Sequence, residues 1–540
     1  MRTKIPNGFR FLIITVLVIG LIFRFLNLDQ KVYWYDETFT SLRTSGYTEI
    51  EVVNNFYQPQ VHRIEELQKY QRLNAEKSLS DTIKSLAVED PQHPPLYYLM
   101  ARFWAQLFGN SVAAMRSLPA LLSLLVFPCI FWLCLELFES PLTGWIAVAL
   151  IAISPLHVLY AQEAREYSLW TVTTLLSSIA LLRAMRLKTK TSWGIYAVSL
   201  AVSLYTFLFS GLVAFGYTVY VVVMERFRLT KTLIAYLVAS ILSLLVFLPW
   251  LWVVIAYSAK IRKTTAWTNF KKPVLQLFQD WINNASYLFL DLGNNPPSSL
   301  IYWILKNVAI LALLILFGYS LYVIYVHTPK RVGLFILTLV GVPMLILMLP
   351  NLILRGQLST IPRYLLPSYT GIQIAVAYLL TAKFTGITRN IRQQKLWQFV
   401  MIALISSGIV SCIFSSQAEL WWHKGKKATG PVVASTINQA PSPFLIGSAK
   451  VGDLLALSHL LNPKVEFLVA PQCDACDLKP QPIDKAYIPK IPKSSSNVFL
   501  LTTESFEDWL NELKKDKTYK MEPSVRIKPD EILLWKLQKQ

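Results

Sequence analysis

Apolar runs of about twenty residues recur along most of the chain, and a run of that length is what a helix needs to cross hydrocarbon. The first, FLIITVLVIGLIFRFLNL (11–28), follows Arg2, Lys4 and Arg10. It has the charged start of a secretory signal. No small-residue cleavage site follows it, however, and it is long enough to span, so a retained anchor is expected. Further runs fall at 116–138, 142–159, 166–184, 192–208, 209–225, 232–256, 300–326, 332–350, 363–382 and 396–414. Together they predict about eleven transmembrane helices. With 54% hydrophobic and only 16% charged residues, the chain is too apolar for a soluble protein. The net charge of +20 does not point to nucleic acid, because the cations cluster between apolar runs.

Those clusters set the orientation. Arg2/Lys4/Arg10, Arg183/Arg186/Lys188/Lys190, Arg226/Arg228/Lys231, Lys330/Arg331 and Lys383/Arg389/Arg392/Lys395 all fall on one side of an eleven-span chain. Positive-inside bias makes that side the cytoplasm. The N-terminus is then cytoplasmic and the C-terminus extracytoplasmic, in a multi-pass protein of an inner or plasma membrane. PPLYYLMARFWAQLFG (94–109) is short, carries Arg102 and Gln106, and is rich in aromatics. Counting it as a span would put the later basic clusters on the wrong side, so it is expected to lie in the outer interface, with Pro94 and Pro95 in its first turn.

The outer loops are unequal: those at about 29–115 and 257–299 are long, and that at 351–362 is short. After 414 the pattern changes. SPFLIGSAKVGDLLALSHLLNPKVEFLVAP reads as strand, helix, strand; SNVFLLTTESFEDWLNELKKDK reads as strand then helix; EILLWKLQ reads as a last strand. The expected fold is therefore mainly α. Residues 1–414 form the transmembrane part, and 415–540 form a small extracytoplasmic α/β domain. Cys129, Cys134 and Cys412 lie in apolar runs as small hydrophobes. Cys473 and Cys476 form one CDAC pair, read as a local disulfide or two free thiols, since one pair does not complete a zinc site.

The polar residues gather on the outer side. Asp36 and Glu37 follow the first span, after the aromatics of KVYWY. His93 precedes the interfacial helix, and Arg116 begins the second span. YAQEAREYSLW holds Gln162, Glu163, Arg165, Glu166 and Tyr167 between the third and fourth spans, and IPRYLLP puts Arg363 and Tyr364 at the start of the tenth. Each has a plain alternative: YWY as an aromatic belt, His93 as a helix cap, the arginines as interface snorkelers, QEAR as a local salt bridge. Ionisable groups at membrane level are costly and pair with each other or with a ligand. Two acids from separate loops and three arginines suit a phosphate-bearing substrate and a proton acceptor. Guanidinium forks match phosphate oxygens, and a carboxylate can take the proton of an attacking hydroxyl. Glycosyl transfer from a lipid phosphate fits, because the membrane holds the lipid tail.

DE after the first span, HPPLYYLMARFWAQLFGNSVAAMRSLPALL, SPLHVLYAQEAREYSLW and RYLLP resemble the GT-C superfamily of polyprenyl-phosphate-sugar glycosyltransferases. Within it the match is to glycosyltransferase family 39, with protein O-mannosyltransferases and the aminoarabinose transferase as relatives. The resemblance is densest over 30–185. It implies an inverting, single-displacement transfer on the extracytoplasmic face, from a polyprenyl-phosphate-linked sugar to a lipid, glycan or protein acceptor. It makes Asp36 the catalytic base with Glu37 beside it, and Arg116 a ligand of the lipid phosphate. It carries over Glu163 and Arg165 as site residues and makes Arg363 a second phosphate ligand. Glu163 is counted with Asp36 and Glu37 as catalytic, and from their place on the outer face His93, Gln162, Tyr167 and Tyr364 are expected on the substrate side. Some relatives bind a divalent metal; Asp36, His93 and Glu163 are the residues here with suitable donors, and metal dependence stays open. The insert near 57–90 and the C-terminal domain depart from the commonest pattern. The alternative from another class is a lipid or sugar transporter or flippase. Its charges are expected near the midplane of repeated, broken helices, and no repeat is evident here.

Overall fold

The structure, a computed structural model, describes residues 7–56, 60–293, 299–385, 391–424, 429–473, 476, 497–501, 519–528 and 531–539. Among these, eight helices are long and apolar enough to cross a membrane: Gly8–Phe25, Val112–Phe138, Tyr167–Leu187, Lys231–Ala256, Leu300–His327, Lys330–Leu354, Pro362–Phe384 and Arg392–Gln417. A bent pair, Pro141–Ala152 and Pro155–Ala161, turned by 63° at the break, makes a ninth if it is counted as one span. The other two expected spans are helices Lys190–Thr206 and Ser210–Met224, of 17 and 15 residues. The chain is a multi-pass, mainly α-helical membrane protein. All eleven apolar runs are helical, while the number that cross is eight or nine by length alone.

The break matters for the site. Pro155 cannot continue the helix before it, because it lacks an N–H. The freed carbonyls of Ile151 and Ala152 accept from Arg24, which sits within the first span and also donates to Gly20 O and to Ser123 Oγ. Gly20 permits that approach: a Cβ there would lie 2.4 Å from Ala152 O. The short second half, Pro155–Ala161, then ends at Gln162 and delivers the QEAR turn to the rim of the bundle.

The expected interfacial segment is the helix Leu96–Phe108. Its thirteen residues rise about 20 Å, too little for a bilayer core of about 30 Å. Tyr97, Tyr98, Ala101, Arg102 and Ala105 face inward, while Phe103, Leu107 and Phe108 are exposed. Arg102 is held by Thr44 O, Lys77 O and Thr82 Oγ1.

The C-terminal region forms a six-stranded sheet in the order β1-β3-β2-β4-β6-β5. The strands are β1 (His62–Arg63), β2 (Pro443–Lys450), β3 (Glu466–Gln472), β4 (Asn497–Leu501), β5 (Tyr519–Lys528) and β6 (Glu531–Lys539). β2 runs parallel to β3 and β4; the other pairings are antiparallel. The strand–helix–strand reading of 442–471 and the last strand are present. β5 is an additional strand, and the helix expected after β4 lies outside the described residues. Cys473 and Cys476 form a disulfide.

β1 comes from the long loop after the first apolar helix, so that loop and the C-terminal sheet are one packed body. Val52, Phe56, Leu67 and Tyr70 of that loop share a core with Leu445, Leu455, Phe467 and Leu534. This body rests on the helix Tyr35–Thr44. Thr38 Oγ1 donates to Gly452 O, and a Cβ on Gly452 would lie 2.6 Å from the rings of Tyr35 and Phe39. Gly452→Ala is therefore expected to overpack this seam and cost about 1–3 kcal/mol. A lowered thermal midpoint in detergent checks it, and an unchanged midpoint would show that the rings move aside freely.

Candidate active site

Two acids open the helix Tyr35–Thr44 and point in different directions. Side chains one residue apart on a helix diverge by about 100°, so Glu37 turns inward while Asp36 turns toward the rim. Glu37 is wholly buried. Arg116 grips it as a fork, with Nε to Oε1 at 2.7 Å and Nη2 to Oε2 at 2.7 Å. Lys424 Nζ donates to Oε2 at 2.6 Å and the Ala164 N–H to Oε1 at 3.0 Å. Burial opposes the charge, but Arg116 and Lys424 outweigh it and hold the carboxyl at about 2.

Arg116 has further duties. Nη1 donates to Leu28 O at 2.7 Å and Lys31 O at 2.8 Å, and Nη2 to Val32 O at 2.9 Å. Its five N–H bonds thus all end on oxygens of this chain. The arginine fastens the loop after the first span to the second span and to Glu37.

Asp36 is in a different setting. Its Oδ2 pairs with Arg363 Nη1 at 2.9 Å, and its side chain keeps 21% of its surface exposed. The Arg363 guanidinium lies over the rings of Trp34, Tyr167 and Tyr364, at 5.7, 5.5 and 5.5 Å, and its Nε has no partner. Tyr364 packs in turn on Phe207 and Phe209.

The QEAR turn serves both acids. Gln162 donates to Phe23 O and Leu26 O at 2.7 and 2.8 Å, closing the end of the first span, and accepts from Lys31 Nζ at 3.2 Å. Arg165 Nη1 donates to the Asp36 backbone O, Thr40 Oγ1 and Tyr98 OH. Its other nitrogens meet Glu166 and His93. His93 Nδ1 lies 3.0 Å from Glu166 Oε1. Burial resists the Glu166 charge, yet Arg165 and His93 hold it at about 2.

Glu163 is the exception. It is wholly buried, neither carboxyl oxygen has a hydrogen-bond partner, and His423 Nε2 stands 3.7 Å away. Burial pushes its carboxyl up to about 7, with Lys424 and Arg363 drawing it back. A carboxyl raised in the folded state from 4.5 to about 7 leaves stability intact below the unfolded value. That stability is lost as pH rises through the folded one. Glu163→Gln, which cannot ionise, is expected to flatten a fall in thermal stability between about pH 5 and pH 8. A melting series across that range checks this, and identical pH profiles would refute it.

The sites at 36, 116, 163 and 363 thus come together on one side of the bundle, joined by contacts among Asp36–Arg363, Glu37–Arg116 and Glu37–Ala164. Around them Lys31, Arg116, Arg165, Arg363 and Lys424 face Asp36, Glu37, Glu163 and Glu166. Burial and the neighbouring Lys424 and Arg116 charges lower Lys31 to about 7. Asp36, His93 and Glu163 are not assembled as a ligand set: Asp36 is on Arg363, His93 on Glu166, and Glu163 beside His423. Among the described residues no group of three or more His, Cys, Asp and Glu is placed to hold a metal ion.

Four residues of the cluster lie outside the motifs read from sequence. Trp421, Trp422, His423 and Lys424 follow the last span and read naturally as an aromatic belt. The only other signal, one cation beside them, is common at interfaces. Lys31 and Trp34 lie within KVYWY, whose plain reading is an aromatic belt.

The profile of the dolichyl-phosphate-mannose-protein mannosyltransferase family matches residues 92–253, which include His93, Arg116 and the QEAR turn. A search of curated sequences finds no significant match. By its fold the chain is similar to solved membrane-protein structures over nearly its whole length. In particular it is similar to ArnT from Cupriavidus metallidurans bound to undecaprenyl phosphate. The TM-score is 0.52 at 13% identity, covering 99% of this chain and 98% of that one. The apo form of the same protein gives 0.52 and 13%, over 98% of each chain. The oligosaccharyltransferase AglB from Archaeoglobus fulgidus, in complex with an inhibitory peptide and a dolichol-phosphate, gives 0.47 and 11%, over 84% and 64%.

Proposed function

We propose that this protein is an inverting glycosyltransferase that moves a sugar from a polyprenyl-phosphate donor to an acceptor hydroxyl on the non-cytoplasmic side of the membrane. The observation that carries the reading is the Asp36–Arg363 pair. It is the partly open ion pair in a cluster whose other carboxylates are fully buried. A base must reach its substrate, and a guanidinium beside it can hold the anion that leaves.

In the reaction the acceptor oxygen attacks the anomeric carbon while Asp36 takes its proton. The bond from that carbon to the phosphate oxygen breaks with inversion, and the electron pair leaves on the polyprenyl phosphate. Arg363 moves from Asp36 to the phosphate oxygens as charge builds there, which frees the carboxylate at the moment it is needed. Tyr167, Tyr364 and Trp34 keep the guanidinium in place by their ring faces. Arg165 fixes the start of the Asp36 helix, with His93 and Glu166 behind it. Gln162 closes the first span. Glu163 supplies a second acid next to the pair. Arg116 acts on Glu37 and on the loop carbonyls, as a positioning residue.

The test is a transfer assay with purified protein, a polyprenyl-phosphate sugar and envelope lipid, glycan or protein fractions as acceptors. Release of free polyprenyl phosphate with the sugar on an acceptor supports the reading. Movement of intact donor between leaflets without release would support a flippase instead. Arg363→Ala is expected to raise the donor KM roughly 30-fold, as for loss of one partner of a close charge pair. An unchanged donor KM would remove Arg363 from the phosphate site.

A further inference from the structure

The segment Trp421–Lys424 does more than end the last span. The indoles of Trp421 and Trp422 both donate to Asp291 Oδ2, at 2.8 and 2.7 Å. Asp291 is itself buried, and its backbone N–H is held by Ser411 Oγ at 2.9 Å. Trp422 stacks on Tyr287, with ring centroids 4.4 Å apart. So anchored, the next two residues turn inward. Lys424 reaches Glu37 at 2.6 Å, lies 6.0 Å from the Trp34 ring, and is 4% exposed. His423 faces Glu163 at 3.7 Å. One short strap, distant in sequence from the first-span acids, thus reaches two of the site's three buried acids, Glu37 and Glu163.

Neutralising Glu37 does not require this. Arg116 already grips both carboxylate oxygens, and the Ala164 N–H adds a third bond. A second buried cation carries a desolvation cost of its own. What Lys424 adds is positive potential between Glu37, Glu163 and the Trp34–Arg363 arm, in a site where the departing phosphate gains negative charge.

We propose that the Trp421–Lys424 strap is a positioning element of the transfer site, in which Asp291 fixes the two indoles and the indoles fix Lys424 against Glu37. This rests on the reading of Asp36 as base. Lys424 acts through Glu37 and through its field, so its loss lowers the rate of the chemical step and leaves donor capture largely intact. Asp291 touches neither Lys424 nor Asp36, and its loss reaches the site only through the strap.

The experiment compares steady-state kinetics of wild type, Lys424→Met, Lys424→Arg, Asp291→Ala and the Lys424→Met/Asp291→Ala double variant, with Asp36→Asn as reference. Lys424→Met is expected to lower kcat roughly 10- to 100-fold, with donor KM within about threefold, because a charge facing the transition state is removed. Lys424→Arg recovers most of the rate. Asp291→Ala lowers kcat in the same way, and the double variant is no worse than Lys424→Met. If Lys424→Met is not recovered as folded protein, the Trp421→Phe/Trp422→Phe pair replaces it. That pair keeps ring packing, removes both donors to Asp291, and should lower kcat with donor KM unchanged. The proposal is overturned if Lys424→Met or the indole pair retains wild-type kcat while Asp36→Asn is inactive. It is also overturned if the Asp291 and Lys424 effects multiply independently. An active Asp36→Asn would instead overturn the functional reading beneath it.

Discussion

Asp36→Asn is expected to cut kcat by about 10²–10⁴-fold, the usual contribution of a positioned general base. The substitution is nearly isosteric, and its amide oxygen can still accept from Arg363 Nη1, the contact that Asp36 Oδ2 makes at 2.9 Å. The helix start stays fixed as well, because Arg165 bonds the Asp36 backbone oxygen rather than its side chain. Donor binding should therefore survive, since a neutral partner holds Arg363 less tightly and leaves it free for phosphate. The measurement is turnover against binding of undecaprenyl phosphate as a probe, on protein of unchanged thermal midpoint. Turnover within a fewfold of wild type would remove Asp36 as base. Loss of folding would say that the Asp36–Arg363 pair is a structural contact.

The broad outline of this fold is legible in the sequence because hydrocarbon imposes one strong rule on every span. Each apolar run forms helix, as that rule requires. Shorter-range features were harder to see. The break at Pro155 is written as a proline in an apolar run, but the partner that satisfies its carbonyls, Arg24, is more than a hundred residues away. An arginine inside the first span was the available sign that something there needed donors. The edge strand β1 is two residues long and has no pattern of its own; it exists because β3 offers a free edge. The acids and arginines of the site were visible as a set, because polar residues at membrane level stand out. Their division of labour was not. Asp36 and Glu37 are adjacent in sequence, and only the helix start that separates their directions makes one accessible and the other buried. The strap carrying His423 and Lys424 could not be told from an interfacial belt until Asp291 and the two indoles were seen to turn it inward.

Arg116 shows the same limit and gives the other large effect. Read as an isolated cation at the start of a span, it invites a phosphate. In the structure its N–H groups end on Glu37 and on the carbonyls of Leu28, Lys31 and Val32. Arg116→Met would leave three carbonyls and much of a buried carboxylate without their donors. Breaking one side of a buried pair costs about 3–5 kcal/mol, against a total stability of about 5–15 kcal/mol for a typical domain. The expected result is a large fall in thermal midpoint and in recovered protein, well beyond that of Arg363→Ala, whose effect falls on donor KM. Adding Glu37→Gln to Arg116→Met should recover part of the loss, since a neutral amide no longer needs the full fork; Lys424 then remains as the cation without a carboxylate, which keeps the recovery incomplete. A stable Arg116→Met protein with a selective rise in donor KM would return Arg116 to the phosphate. The distinction is physical: a guanidinium whose bonds are already directed at the chain's own oxygens can hold an anion only by releasing them, and each release uncovers a buried acceptor.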